Sequence, residues 1–205
     1  MKNIILKNKF NLALLLGLLC AFFVSLAQFN ASCDELRTNV LRLHIIANSD
    51  SVEDQELKLK IRDEILAQSG NLFEKTNDVN SAVVSVQKSL PQLENIANKV
   101  INENGFEYSA KARVGKSYFE TREYDDFALP AGNYKSLIIT VGEGNGKNWW
   151  CVIYPELCLP AATDASLRDV TTEKTAKIAQ NNQKYVMRFK IIELYESFKK
   201  SVKKK

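Results

Sequence analysis

Leu41, Leu43 and Ile45 alternate with Arg42, His44 and Ile46, and the alternation ends at a polar turn, Ala47-Asn48-Ser49-Asp50-Ser51. Period-two alternation sends the two sets to opposite faces of a partly buried strand, which has to be paired within a sheet. A charged amphipathic stretch departs from the turn. Ser51 can cap that helix, with Asp54 three residues on forming a short-armed capping box and Glu53 adding negative charge at the positive end of the dipole. Leu57, Ile61 and Ile65, widened by Leu66, recur at helical spacing, and Gly70 suits the residue just past the helix end.

Further along, Asp78 can start a second helical stretch in which Val79, Val83, Val86, Leu90, Leu93, Ala97 and Val100 form a stripe. Pro91 either kinks one long helix there or divides two. Asn104-Gly105 closes the segment. Phe106 to Val114 alternates as a one-sided strand, an irregular aromatic segment runs from Lys116 to Asn133, and Tyr134 to Val141 is a more buried strand. The turn Gly142-Glu143-Gly144-Asn145-Gly146 leads into Asn148 to Tyr154, so this pair is expected to be a hairpin. Residues 161–183 are polar and turn-rich, which suits a loop. Met187, Ile191, Leu194, Phe198 and Val202 then mark a final amphipathic helix with a lysine-rich end. These elements add up to a single-domain α+β protein, an antiparallel or mixed β-sheet packed against amphipathic helices.

The first 27 residues have the form of an export signal ahead of that domain. Lys2, Lys7 and Lys9 precede an unbroken apolar run from Leu12 to Val24, and Ser25-Leu26-Ala27 has the small-x-small pattern of a cleavage site. An uncleaved tilted anchor is the alternative for residues 1–27. Residues 28–38 read as a short tether, 39–200 as the domain and 201–205 as a basic tail. The formal charge of +4 is concentrated at the two ends. With the three leader lysines set aside, and the eight basic and two acidic residues from Lys184 onward, 17 basic face 22 acidic residues in between. No basic stripe interleaved with aromatics crosses that body, which argues against nucleic acid as a partner. The lysine tail is a solvated end or a contact with an anionic membrane surface.

Cys20 lies inside the leader, leaving Cys33, Cys151 and Cys158. Cys33 falls in the expected tether. Cys151 and Cys158 flank Pro155 and, in an oxidising compartment, are close enough to pair as a disulfide once the chain turns; two buried thiols are the alternative. The only histidine, His44, is either a hydrogen-bonded strand histidine or a catalytic residue, since one histidine cannot build a cluster of metal ligands. A nucleophilic Cys151 with His44 as base competes with the disulfide. Gly142-x-Gly144-x-Gly146 resembles a phosphate loop, but a strand follows it where such a loop needs a helix N-terminus.

Several separated motifs occur in one order: Leu41 to Ser51 with Asp54-Gln55 and Lys58-x-Lys60-x-Arg62-Asp63; Leu129-Pro130-Ala131-Gly132-x-Tyr134; Gly142-Glu143-Gly144-x-Gly146-x-Asn148-Trp149-Trp150-Cys151 through Cys158; and Arg188-Phe189-Lys190. Over about residues 40–200 the chain resembles the stage II sporulation protein R family. Val52 stands where that family often has proline, and Pro91 is also unusual. The resemblance implies a secreted signalling protein of endospore formation, not an enzyme. Such a protein works in the space between forespore and mother cell, where it activates a membrane-embedded aspartic protease that cleaves the precursor of the early mother-cell sigma factor. It implies neither cofactor, metal nor small-molecule substrate. It supplies no catalytic residues, so Arg42, His44, Asn48, Ser49, Asp50, Asn148, Trp149 and Trp150 are nominated as a partner-binding surface from their polar or aromatic character. The competing class is a secreted hydrolase using His44 with Asp50 or Cys151.

Overall fold

The computed structural model describes residues 2–73, 76–124, 127–155, 170–180 and 182–202. β1 (Leu41–Ile46) lies inside a four-stranded mixed sheet, parallel to β5 (Gly132–Val141) on one side and antiparallel to β6 (Asn148–Tyr154) on the other. β2 (Ala110–Phe119) pairs antiparallel with β5, which gives the order β2-β5-β1-β6. Two short strands, β3 (Arg122–Glu123) and β4 (Ala128–Leu129), form a separate pair within the aromatic segment read as irregular.

β5 and β6 are consequently not hairpin partners, because β1 is inserted between them. The glycine-rich segment crosses the end of β1, a span of about 9.6 Å or two interstrand spacings. Periodicity identified both strands but carried no information about which strand lies between them.

Helices cover both faces. On one face, α2 (Val52–Phe73) and α3 (Val79–Glu103) bury Leu57, Ile61 and Ile65, with Val86, Leu93 and Ala97, against Leu41, Leu43 and Ile45 of β1 and their neighbours on β5 and β6. Asp78 caps α3, its side chain accepting from the backbone N–H groups of Asn80 and Ser81. α2 continues past Gly70, and α3 continues through Pro91 as one helix. Val79, Ala82 and Val86 before the proline and Leu93, Ala97 and Val100 after it enter one core, so packing outweighs the local cost of proline.

On the other face lies the C-terminal part of α1 (Lys2–Asn39), where a tether was expected. Phe29, Cys33 and Leu36, spaced four and three apart, are all buried. Polar Asn30, Asp34, Glu35 and Thr38 dilute that stripe in the sequence; Asp34 and Thr38 are exposed, while Asn30 and Glu35 are half-buried. α4 (Glu173–Gln180) lies inside the segment read as a loop and buries Thr175, Ala176, Ile178 and Ala179; residues 161–169 of that segment are outside the described residues. The Glu35 carboxylate accepts from the Thr172 backbone N–H and from the hydroxyls of Thr172 (3.0 Å) and Thr175 (2.6 Å), fastening α1 to the start of α4. α5 (Asn182–Val202) packs Phe189 and Ile192 into the cluster of Phe29, Cys33, Ala128 and Ile178.

Candidate functional site

The residues nominated from the sequence fall into separate places. Arg42 is fully buried and so is not part of a partner-binding surface. Its position on β1 points it away from the α2/α3 core, where it stacks over the Phe119 ring at 3.8 Å and the Tyr134 ring at 5.0 Å. One guanidinium nitrogen donates to the Tyr124 hydroxyl at 2.6 Å, Nε donates to the Cys151 carbonyl at 3.4 Å, and the remaining nitrogen has no partner among the described residues. Burial pulls its pKa down, and the neighbouring Tyr124 and Tyr134 oppose that. The motif Leu129-Pro130-Ala131-Gly132-x-Tyr134 has a similar structural use. Arg37 Nε donates to the Ala131 carbonyl at 2.9 Å, and the Tyr134 hydroxyl donates to the Pro130 carbonyl at 2.5 Å.

Asn48, Ser49 and Asp50 form a fastening for the glycine-rich segment. Asn48 Oδ1 accepts from the Glu143 backbone N–H at 3.0 Å, and Asp50 Oδ1 accepts from that of Lys147 at 2.7 Å. The backbone carbonyls of Ala47 and Asn48 accept from Gly146 and Asn145. Beneath the turn, Asp54 Oδ2 accepts from Asn48 Nδ2 at 2.9 Å and from the Ser49 hydroxyl at 2.5 Å, while Oδ1 accepts from the Tyr108 hydroxyl. Burial alone would raise the Asp54 carboxyl; the bonds from Ser49, Tyr108 and Asn48 hold it below its ordinary value. Only half of the expected capping box forms, Ser51 Oγ accepting from the Asp54 N–H at 3.2 Å, because the Asp54 side chain is used by the turn. Lys58 Nζ reaches back to the Lys147 carbonyl at 3.0 Å.

His44, Asn148 and Trp150 do come together. Arg113 of β2, Ile138 of β5, His44 of β1 and Trp150 of β6 stand in one row across the sheet. His44 Nε2 lies 2.8 Å from Asn148 Oδ1, and Nδ1 lies 3.1 Å from Ser117 Oγ. With Asn148 accepting, Nε2 carries the proton and Nδ1 accepts from the serine hydroxyl, so the ring is held in one tautomer. Burial lowers the His44 pKa; the Asn148 bond opposes this, and the Arg113 and Arg42 charges add to it, which leaves the imidazole neutral at pH 7. Arg122 lies over the Trp150 ring at 4.5 Å. Arg113, Arg122 and Asn148 are exposed, while His44, Ile46 and Trp150 are half-buried, so this part of the sheet face remains open.

Trp149 belongs to the opposite face, packed against the α2/α3 core with the Arg62 guanidinium 4.4 Å from its ring. Cys151 is also on that opposite face, aligned with Leu43, and Asp50 is committed to Lys147. Neither is a hydrogen-bond partner of His44, whose two ring nitrogens meet Ser117 and Asn148 instead. Cys158, the expected disulfide partner of Cys151, lies outside the described residues. Ser117, Arg113 and Arg122 were missed. Arg113 was legible as the polar side of the β2 alternation, but Ser117 and Arg122 come from the segment that showed no period.

Two comparisons bear on identity. The model of the stage II sporulation protein R family matches residues 37–164, more than half of the chain. Stage II sporulation protein R of Bacillus subtilis (strain 168) is 34% identical over 143 residues, covering 70% of this chain and 62% of the relative. The match thus spans less than two thirds of that relative's length. No solved structure matches. With the motifs mapped onto the strand-turn-helix, the Arg37 seat and the glycine crossing, the chain belongs to the stage II sporulation protein R family.

Proposed function

We propose that this protein is an exported sporulation signal that activates a membrane-embedded aspartic protease, which then cleaves the precursor of the early mother-cell sigma factor. Family membership supports the sporulation role. The apolar part of α1, within the candidate span Lys9–Asn39, suits delivery across a membrane, as a signal sequence or an anchor, into the space between forespore and mother cell. In that oxidising space Cys151 pairs with Cys158. The observation that carries the docking role is the open row of Arg113, His44 and Trp150, bordered by Asn148 and Arg122 and held rigid by paired strands. Exposed arginines beside a half-buried tryptophan on paired strands are among the residue types that dominate protein interfaces.

The test is co-expression of the exported chain with the protease and its precursor substrate. Arg113→Glu combined with Arg122→Glu, both exposed, should abolish most precursor cleavage while leaving the activator's unfolding free energy in urea within about 1 kcal/mol of wild type. Normal processing by that double variant, or precursor cleavage by this protein without the protease, overturns the reading.

A further inference from the structure

α5 carries two apolar stripes, and only one of them is used. Phe189 and Ile192, with Tyr185 half-buried beside them, pack on Phe29 and Cys33 of α1. Ile191, Leu194, Tyr195 and Phe198, spaced i, i+3, i+4 and i+7, are 38, 71, 54 and 70% exposed. Such spacing sets them on one face, and that face points outward. Exposed Lys190 and Lys199 flank it, paired along the helix with Glu193 at 3.2 Å and Glu196 at 3.8 Å. Exposed Arg188 lies toward α1, over the Phe29 ring at 5.8 Å, and the sequence continues with Lys200 and Lys203 to Lys205, so the basic side chains outnumber the two carboxylates.

The position of α5 along α1 indicates what covers this face. α1 is, among the described residues, long and apolar enough to cross a membrane, and Phe10 to Val24 is its exposed apolar part. The ring centres of Phe29 and Phe189 are 5.3 Å apart. Phe29 lies five residues past Val24, about 7.5 Å of helix, and that is the depth of the headgroup layer outside the hydrocarbon core. We infer that the Ile191, Leu194, Tyr195 and Phe198 face of α5 docks on the surface of an anionic lipid bilayer beside α1. The apolar stripe enters the boundary region, and the flanking lysines reach the lipid phosphates. This inference is independent of the protease docking face, which lies on the sheet.

The test is hydroxyl-radical footprinting, read by mass spectrometry, of the full chain incorporated at one copy per nanodisc. The discs are phosphatidylcholine with or without phosphatidylglycerol, and labelling is normalised to Val52, which is 68% exposed on α2. Labelling of Tyr195 and Phe198 should fall roughly tenfold in the anionic discs, less in neutral discs, and recover in Lys190→Glu/Lys199→Glu and in Leu194→Asp. Protection of buried Phe119 serves as the folding control in every variant. Full labelling in anionic discs, protection indifferent to lipid charge, or protection that appears only at two copies per disc and so reports a second chain, overturns the inference.

Discussion

The Arg42 guanidinium lies 3.8 Å from the centre of the Phe119 ring, fully buried, and no ion pair joins it to a carboxylate among the described residues. Its charge is balanced by ring faces, the Tyr124 hydroxyl and a backbone carbonyl, so the residue organises the core between sheet and α1. Arg42→Ala leaves a cavity and removes both hydrogen bonds, and should cost about 3 kcal/mol or more. Arg42→Met, which fills the space without the charge, should recover about half of that. Urea unfolding with an unchanged m-value measures both. Normal stability of Arg42→Ala with lost precursor processing would return Arg42 to the docking surface.

Cys33 reports on whether residues 28–38 are helix or tether. Its side chain is fully buried, and desolvation pushes the thiol up to about 12, against the pull of Arg37. Alkylation of the folded full chain in detergent should therefore spare Cys33, and the same reagent after denaturation, which modifies it, provides the positive control. Rapid labelling of Cys33 in the folded chain is the result expected of a free tether, and it would remove α1 from the core.

The glycine crossing makes a graded prediction. A Cβ at Gly146 would sit 2.1 Å from the Ser49 carbonyl oxygen, a backbone atom held by the turn, whereas a Cβ at Gly105 meets nothing within 4 Å and faces only the strain of φ +79°. Gly146→Ala should cost about 3 kcal/mol and Gly105→Ala about 1 kcal/mol. Asp54→Asn, which replaces an acceptor of three hydrogen bonds by an amide, should cost about 2 kcal/mol. Thermal or urea midpoints for the three variants check the order. Equal costs at Gly146 and Gly105 would mean that the crossing is not locked to the turn.

How much of this was legible depends on the length scale of each feature. The buried stripes of α2 and α3 and the alternation of β1 were visible because Leu57, Ile61 and Ile65, or Leu41, Leu43 and Ile45, repeat at the period of their own element. Strand order was not, because the insertion of β1 between β5 and β6 joins residues a hundred positions apart. Polarity also misled where it served the interior: Arg42, Asn48, Ser49 and Asp50 have the composition of a recognition turn, yet their partners are Tyr124, Glu143, Asp54 and Lys147 of the same chain. In α5 the most regular apolar stripe faces outward, and periodicity alone does not tell a core from a membrane. His44, Asn148 and Trp150 were nominated for their polar or aromatic character alone; that they meet on one side of the sheet follows from strand pairing, and Ser117 arrives there from a segment without a pattern.

His44 supplies a pH dependence with a definite sign. Its folded-state pKa is depressed, chiefly by burial, below the ordinary 6.5 that it regains on unfolding. As pH falls through that range the unfolded chain takes up the proton first, so stability is complete above about pH 6.5 and declines below it, through the folded-state pKa. Asp54 and Glu35 are also depressed, held down by their hydrogen bonds against burial, but their ordinary values are 3.8 and 4.5. Their contributions are lost only in more acidic solution, which leaves the interval between about pH 6.5 and pH 5 to the histidine. His44→Gln should flatten the urea midpoint across that interval. Because the chain has a single histidine, its imidazole proton resonance is unambiguous and should titrate with a midpoint below 6.5 in the folded protein. A midpoint at or above 6.5, or the same acid-side loss of stability in His44→Gln, would show that the ring is not held neutral between Ser117 and Asn148.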